Sequence, residues 1–278
     1  MKDYTEKSVR LCRFMLSAVF FCLLLSALPE KAQAQEKIMI YFYSSETNIN
    51  NFKSLKMEFD TWLSRFGPYE FQPFSDRQIF ETHLRGKKDC LVLLSSWHFS
   101  KIAKEYSLSP LLSGIRNGKK YQKRILVAAA AVSGADILQK GPVASASNPD
   151  YTRSVLRELF GEEIAGDSVR ILTVPKDIDA LMSVGFEMSK SALITESTLE
   201  KLKETDPVLS RKMKTLKAGK DSLLLILAAP ASFSEKSGKI LEIIQNMPGQ
   251  PEGADIVRML DLDGWVPVGA SERSKLEG

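Results

Sequence analysis

The sequence predicts an α/β protein of two Rossmann-like βαβ lobes joined by two crossover strands. Three observations carry this. Residues 37–94 alternate strand, helix, strand, helix, strand, an order that demands a parallel sheet covered by helices. The same order restarts after Gly134 and superposes on the first without gaps at an offset of 101 residues, pairing Ser44 with Ser145, Asp76 with Asp177 and Ser95 with Glu196. Two alanine-rich apolar runs, Ile125–Val132 and Leu223–Ala229, flank the second copy and suit the two crossings between lobes.

The elements follow in order. Lys37-Ile-Met-Ile-Tyr-Phe-Tyr43 is a buried strand by its β-branched and aromatic content. It ends in the polar loop Ser44–Asn48. Phe52, Leu55, Phe59, Trp62, Leu63 and Phe66 recur at helical spacing and predict an amphipathic helix that stops at Gly67-Pro68. Tyr69–Phe74 reads as a strand. Asp76 caps a helix through Ile79, Phe80 and Leu84, closed by Gly86. Cys90–Leu94 is a strand that delivers Ser95-Ser96-Trp97-His98. In the second copy Val143–Ala146 is a strand, and Pro149 opens a helix carrying Tyr151, Val155, Leu156 and Leu159. Val169–Val174, the helix Asp177–Val184 and the strand Ser191–Ile194 complete it. Helical sequence is expected beyond Leu199 and again from Ser234 to Met247.

Before all of this stands a basic segment with Lys2, Lys7, Arg10 and Arg13, an uncharged apolar run from Phe14 to Leu28, and the small-residue site Ala32-Gln33-Ala34. This is the pattern of a secretory signal with cleavage after Ala34; an uncleaved membrane anchor is the alternative. The predicted organisation is therefore 1–34 signal peptide, 35–124 first part of lobe 1, 125–222 lobe 2, and 223–278 the return into lobe 1. Cleavage removes Cys12 and Cys22, leaving Cys90 as a buried thiol with no disulfide partner. It also removes five basic and three acidic side chains, so a net charge of +4 falls to about +2. That weak charge, with the cluster Lys119, Lys120, Lys123 and Arg124 read as a solvated turn, argues against nucleic-acid binding.

Candidate binding residues gather where strands end, because ligands in open parallel sheets sit outside those carboxyl ends. In lobe 1 they are Tyr43, Ser44 and Ser45 after the first strand and Ser95, Ser96 and Trp97 after the third. In lobe 2 they are Ser145, Ser147, Asn148, Tyr151 and Thr152, whose hydroxyls and free helix N–H groups suit an oxyanion, and Glu196, a carboxylate suited to a ligand amine. No motif for a metal, a nucleophilic elbow or a phosphate-cradling loop is present, so no cofactor, metal or enzymatic activity is expected.

Four stretches resemble a known family. They are Ser145-Ala-Ser147-Asn-Pro-Asp-Tyr151, Val174–Leu181 with Ser191–Ser197 and Asp206-Pro207, the return around Leu223–Pro230, and the closing Leu262-Asp-Gly264-Trp265-Val266-Pro267. Together they are similar to type II periplasmic solute-binding proteins, in particular the phosphate/phosphonate-binding branch of ABC transporters. The resemblance spans about Lys37 to Pro267. It implies a monomeric periplasmic protein that closes on a small anionic or zwitterionic solute, with an inner-membrane ABC permease as partner. A solute sensor or partner-binding protein signalling to a membrane kinase is the alternative. The loop departs from the family's Ser-Thr-Ser-Gly pattern at Ala146 and Pro149, which costs a hydroxyl and a backbone donor.

Overall fold

The structure, a computed structural model, describes residues 37–46, 51–132, 134, 136–161 and 168–277. The expected signal segment, with Cys12, Cys22 and Ala34, lies outside the described residues, as do Thr47 and Asn48 of the first loop. Among the described residues no helix is long and apolar enough to cross a membrane.

The elements are β1 Ile38–Tyr43, α1 Phe52–Leu63, β2 Tyr69–Pro73, α2 Arg77–Leu84, β3 Cys90–Ser95, α3 Ser96–Ile102, β4 Leu108–Ile115 and β5 Tyr121–Ala129, then β6 Val143–Ser145, α4 Pro149–Phe160, β7 Ile171–Thr173, α5 Asp177–Gly185, β8 Ser191–Thr195 and α6 Glu196–Thr205. The chain closes with β9 Met213–Leu223, β10 Leu225–Pro230, α7 Gly238–Asn246, α8 Pro251–Met259, β11 Gly264–Pro267 and α9 Ala270–Glu277.

Two sheets organise them. The first runs β11-β4-β10-β3-β1-β2 and the second β7-β6-β8-β5-β9. In each, three parallel strands are followed by an antiparallel one, β10 beside β3 and β5 beside β8. The lobes therefore share one strand order, as the internal repeat predicts. The buried, near-continuous apolar sequences of β1, β3 and β10 follow from cover on both faces. On one side Phe42, Phe71, Phe59 and Trp62 pack with Met247 and Trp265; on the other Tyr43, Phe80, Phe99 and Ile226 pack together. Cys90 is buried and free, and burial pushes its thiol up to about 11, so it is inert.

Several expectations are corrected. The run Leu223–Ala229 is not one strand: β9 ends at Leu223 in the second sheet, and β10 starts at Leu225 in the first. The other crossing is the turn between β4 and β5, and β5 begins at Tyr121 rather than Ile125. Strands β4 and β9 were not expected. β4 holds Pro110 and Gly114, and Pro110 is tolerated beside a register shift in the β10 pairing. β9 is an edge strand whose Lys214, Lys217 and Lys220, three residues apart, resemble a polar helix face. The helix expected from Ser234 to Met247 is interrupted, because Ala231–Ser234 is a separate turn and α7 starts at Gly238. The register also shifts by one residue at the last loop. Ser95 and Thr195 are both N-cap residues, so Ser95 matches Thr195 rather than Glu196.

The C-terminal helix fastens to one crossing. The Glu272 carboxylate accepts from the Gly269 N–H at 2.8 Å and the Tyr121 hydroxyl at 2.8 Å, and it also pairs with Lys120. Lys120, expected to be solvated, is thus an ion-pair partner. The hydrogen bond from Lys120, aided by Gly269 and Tyr121, pulls the Glu272 carboxyl down to about 2. A carboxylate with a depressed folded pKa contributes stability above its unfolded value and loses it as pH falls through the folded value. The contribution of Glu272 is therefore complete above pH 4.5 and lost between 4.5 and about 2. Glu272→Gln is expected to cost about 1–2 kcal/mol at neutral pH, discounted for the partly exposed lysine. It should also flatten the acid limb of a urea-midpoint series across that window; an unchanged limb would exclude this role.

Candidate functional site

The carboxyl ends of β1 and β3 face those of β6 and β8, and the loops they carry meet directly. β1 delivers Tyr43, packed against Phe80 and edge-on to His98. The next residues turn toward the other lobe. The Ser45 hydroxyl is 2.8 Å from the Ser95 hydroxyl, and the Ser45 carbonyl accepts from the Asn148 N–H at 2.9 Å. The Glu46 carbonyl accepts from the Ser147 hydroxyl and from Arg124 Nη2, each at 3.0 Å. Asn148 Nδ2 approaches the Tyr43 hydroxyl at 3.4 Å. At the rim Trp97 Nε1 donates to the Ser154 hydroxyl at 3.1 Å, and its ring meets Tyr151 edge-on at 5.2 Å.

At the centre lies a buried ionic cluster. Arg124 sits on β5 opposite Thr195 and is 5% exposed. Its Nη1 donates to both Asp177 oxygens, at 3.1 and 3.3 Å, and its guanidinium lies 5.6 Å from the Tyr151 ring centre. Glu46, also 5% exposed, brings its Oε2 to 3.9 Å from Nη2 and accepts there from Gln122. Asp177 Oδ2 additionally accepts from the Thr195 N–H at 2.8 Å. Burial raises the Glu46 carboxyl above the usual carboxylate range, and Arg124, Gln122, the Ser95 hydroxyl and the Trp97 backbone N–H offset only part of that rise. Burial disfavours the charged form of Arg124, but Asp177, Tyr151 and Glu46 together raise its pKa, so it stays cationic. Burial raises the Tyr151 phenol, keeping it neutral. Within this cluster Arg124 Nε and Glu46 Oε1 are buried without a hydrogen-bond partner.

No family model matches this sequence, and no curated protein matches it. Solved structures do. XAC2383 of Xanthomonas citri, solved bound to ATP, superposes with a TM-score of 0.60 at 13% identity over 86% of this chain and 94% of that one. The binding-protein component of an ABC phosphonate transporter from Pseudomonas aeruginosa gives 0.60 at 13% identity, over 87% and 85%. The chain has the type II periplasmic binding protein fold. PhnD1 of Prochlorococcus marinus, in complex with methylphosphonate, gives 0.56 at 12% identity over 86% and 95%.

Within this type II fold the predicted residues divide. Tyr43, Ser45, Ser95, Trp97, Ser147, Asn148 and Tyr151 converge on the meeting of the two lobes. Ser44 lies in the same turn, its hydroxyl accepting from the Glu46 N–H at 3.3 Å. Ser145 and Thr152 stand one layer behind. The Ser145 hydroxyl accepts from the Ser147 N–H at 3.2 Å and lies 3.0 Å from the Thr152 hydroxyl, so both shape the loop. Ser96 points elsewhere, donating to the Leu223 carbonyl at 2.6 Å beside the β9–β10 crossing. Glu196 is half exposed, 3.9 Å from Lys123 Nζ, and does not enter the cleft. As a first-turn residue of α6 it faces solvent, where its charge suits the helix dipole.

Sequence reasoning missed Glu46, Gln122, Arg124 and Asp177 as a group. Arg124 in particular is not part of a solvated turn. It opens the buried run Arg124–Ala128 of β5, and the signal was its place directly before Ile125-Leu-Val127. The recess outlined by Met182, Phe186, Val208 and Leu209 lies on lobe 2, away from these loops.

Proposed function

We propose that this is an exported solute-binding protein whose lobes, divided between β4 and β5 and again between Leu223 and Leu225, close on a small anionic or zwitterionic solute of the phosphate/phosphonate kind for an ABC transporter. One observation carries the reading. The direct bonds between lobes run through the strand-end loops, Ser45 and Glu46 on one side and Ser147 and Asn148 on the other. A bound solute would stand in for these bonds and make closure depend on its presence. The fold shared with binding proteins supports this, as does the N-terminal segment, which has the composition of an export signal.

A thermal-shift screen of phosphate, methylphosphonate, sulfonates and amino acids tests it. A solute at a hundred times its dissociation constant stabilises by about 2.7 kcal/mol. The double substitution Ser147→Ala, Asn148→Ala should remove most of that shift; a full shift in the double variant takes this loop out of the site.

A second reading, an exported sensor or partner-binding protein acting on a membrane kinase, is favoured by the cleft's being spanned by the protein's own polar groups. A neighbouring permease and ATPase gene would support transport, and a neighbouring kinase gene would support sensing.

A further inference from the structure

We propose that the Glu46 carboxylate is a tethered occupant of an oxyanion site built on Arg124, and that a small soluble monocarboxylate enters only by displacing it. The inference rests on the reading that the two lobes close on a small anion, and it favours a monocarboxylate over a phosphate as that anion. Arg124 belongs to β5 in the second sheet, whereas Glu46 follows β1 in the first, so the pair spans the two lobes. Asp177 holds Arg124 from its own lobe through Nη1 alone. That leaves Nε and the second N–H of Nη2, whose first N–H goes to the Glu46 backbone carbonyl, for another group.

Glu46 fills this place incompletely. Its Oε2 is 3.9 Å from Nη2, beyond the 2.7–3.2 Å of a direct N–H to oxygen bond. Arg124 Nε has no acceptor and Glu46 Oε1 has no donor, although both are buried. An unmade bond on each side of one contact marks a site whose geometry the tethered group does not satisfy. One further donor borders it, Gln122 Nε2, now spent on the Glu46 carboxylate, while the Ser147 hydroxyl holds the Glu46 backbone carbonyl in place. A free carboxylate, released from the backbone geometry of Glu46, could take a bidentate pose on Nε and Nη2.

Charge selects the class. With Glu46 ionised, Glu46, Asp177 and Arg124 together carry one net negative charge. A monocarboxylate that displaces Glu46 into solvent leaves that local charge unchanged, whereas a phosphate dianion would add one more in a water-poor site.

The cost of displacement sets the expected effect. If the Glu46-free arrangement is populated at 0.1–10%, wild-type affinity is reduced by the reciprocal of that fraction. Titration calorimetry of the purified chain with propionate, and in parallel with inorganic phosphate, tests this. Glu46→Ala is expected to bind propionate roughly 10- to 1,000-fold more tightly than wild type, with phosphate gaining less, and adding Arg124→Gln should abolish the gain. Glu46→Gln, which keeps the shape and removes the charge, carries the same comparison should the alanine variant fail to fold. Equal propionate affinity in wild type and variants overturns the tethered occupant while leaving the solute-binding reading intact. Propionate binding to none of the folded variants overturns the site, and the solute screen then decides the broader reading separately. A gain that survives Arg124→Gln overturns the role of Arg124.

Discussion

Arg124→Ala is expected to lower the unfolding free energy at neutral pH by about 3–5 kcal/mol, read as a shift of the urea midpoint. Arg124 is the cation shared by two carboxylates, Asp177 at 3.1 Å and Glu46 at 3.9 Å; Arg124 and Glu46 are buried and Asp177 is partly so. Removing it leaves the buried Glu46 and the partly buried Asp177 without their cation, a heavier penalty than the pairing is worth intact. The pH dependence distinguishes this cause from simple loss of packing. With the guanidinium gone, the Glu46 carboxyl, already raised by burial, loses the cation that held it down and rises further. The folded state then binds more protons than the unfolded state, so stability rises as pH falls. The deficit should shrink between about pH 7 and pH 5, whereas a cavity would cost the same at both. A deficit below about 1 kcal/mol, or one that grows in acid, rules out the buried ionic cluster.

Phe71→Ala is the second large effect, expected to cost about 3–5 kcal/mol and to lower Tm by roughly 6–20 °C. Phe71 is fully buried on β2, its ring stacked on Phe59 of α1 at 4.0 Å and on Phe42 of β1 at 5.7 Å. The loss would combine the removed transfer energy with a cavity that α1 and β1 cannot both close. Because β1 ends in the turn that carries Tyr43 to Glu46, the variant should also loosen the contacts between lobes. Faster hydrogen exchange at the amide of Asn148, which donates to the Ser45 carbonyl, would register it. Normal protection there would show that the turn is held independently of this stack.

Parts of the molecule were legible in the sequence because local and global preferences agree there. β1, β3, β6 and β8 are apolar runs that stop at small polar residues, and those stops place Ser45, Ser95, Ser147 and Asn148 at the meeting of the lobes. Strands whose pairing is decided at long range were not legible. β4 carries a proline and a glycine, and β9 carries lysines because an edge strand has only one side to satisfy. Arg124 was hidden for a different reason. Its neighbour Lys123 remains partly exposed at the surface while Arg124 is buried, and the period-two alternation that separates them becomes decisive only once β5 is known to start at Tyr121. Glu46 could not be told from its neighbours in a polar loop, since nothing local marks which carboxylate will meet a cation from the other half of the chain.

The position of β10 has a consequence for the order in which the molecule assembles. β10 lies between β3 and β4, so the first sheet has a vacant lane at its middle until residues 225–230 have been made. The second sheet is complete once Leu223 has emerged. All strands of the second sheet are thus available before those of the first, where β1 to β4 lack their central partner until β10 arrives. The first-made lobe matures last, by insertion of a strand into its centre, a long-range closure of the kind that slows folding.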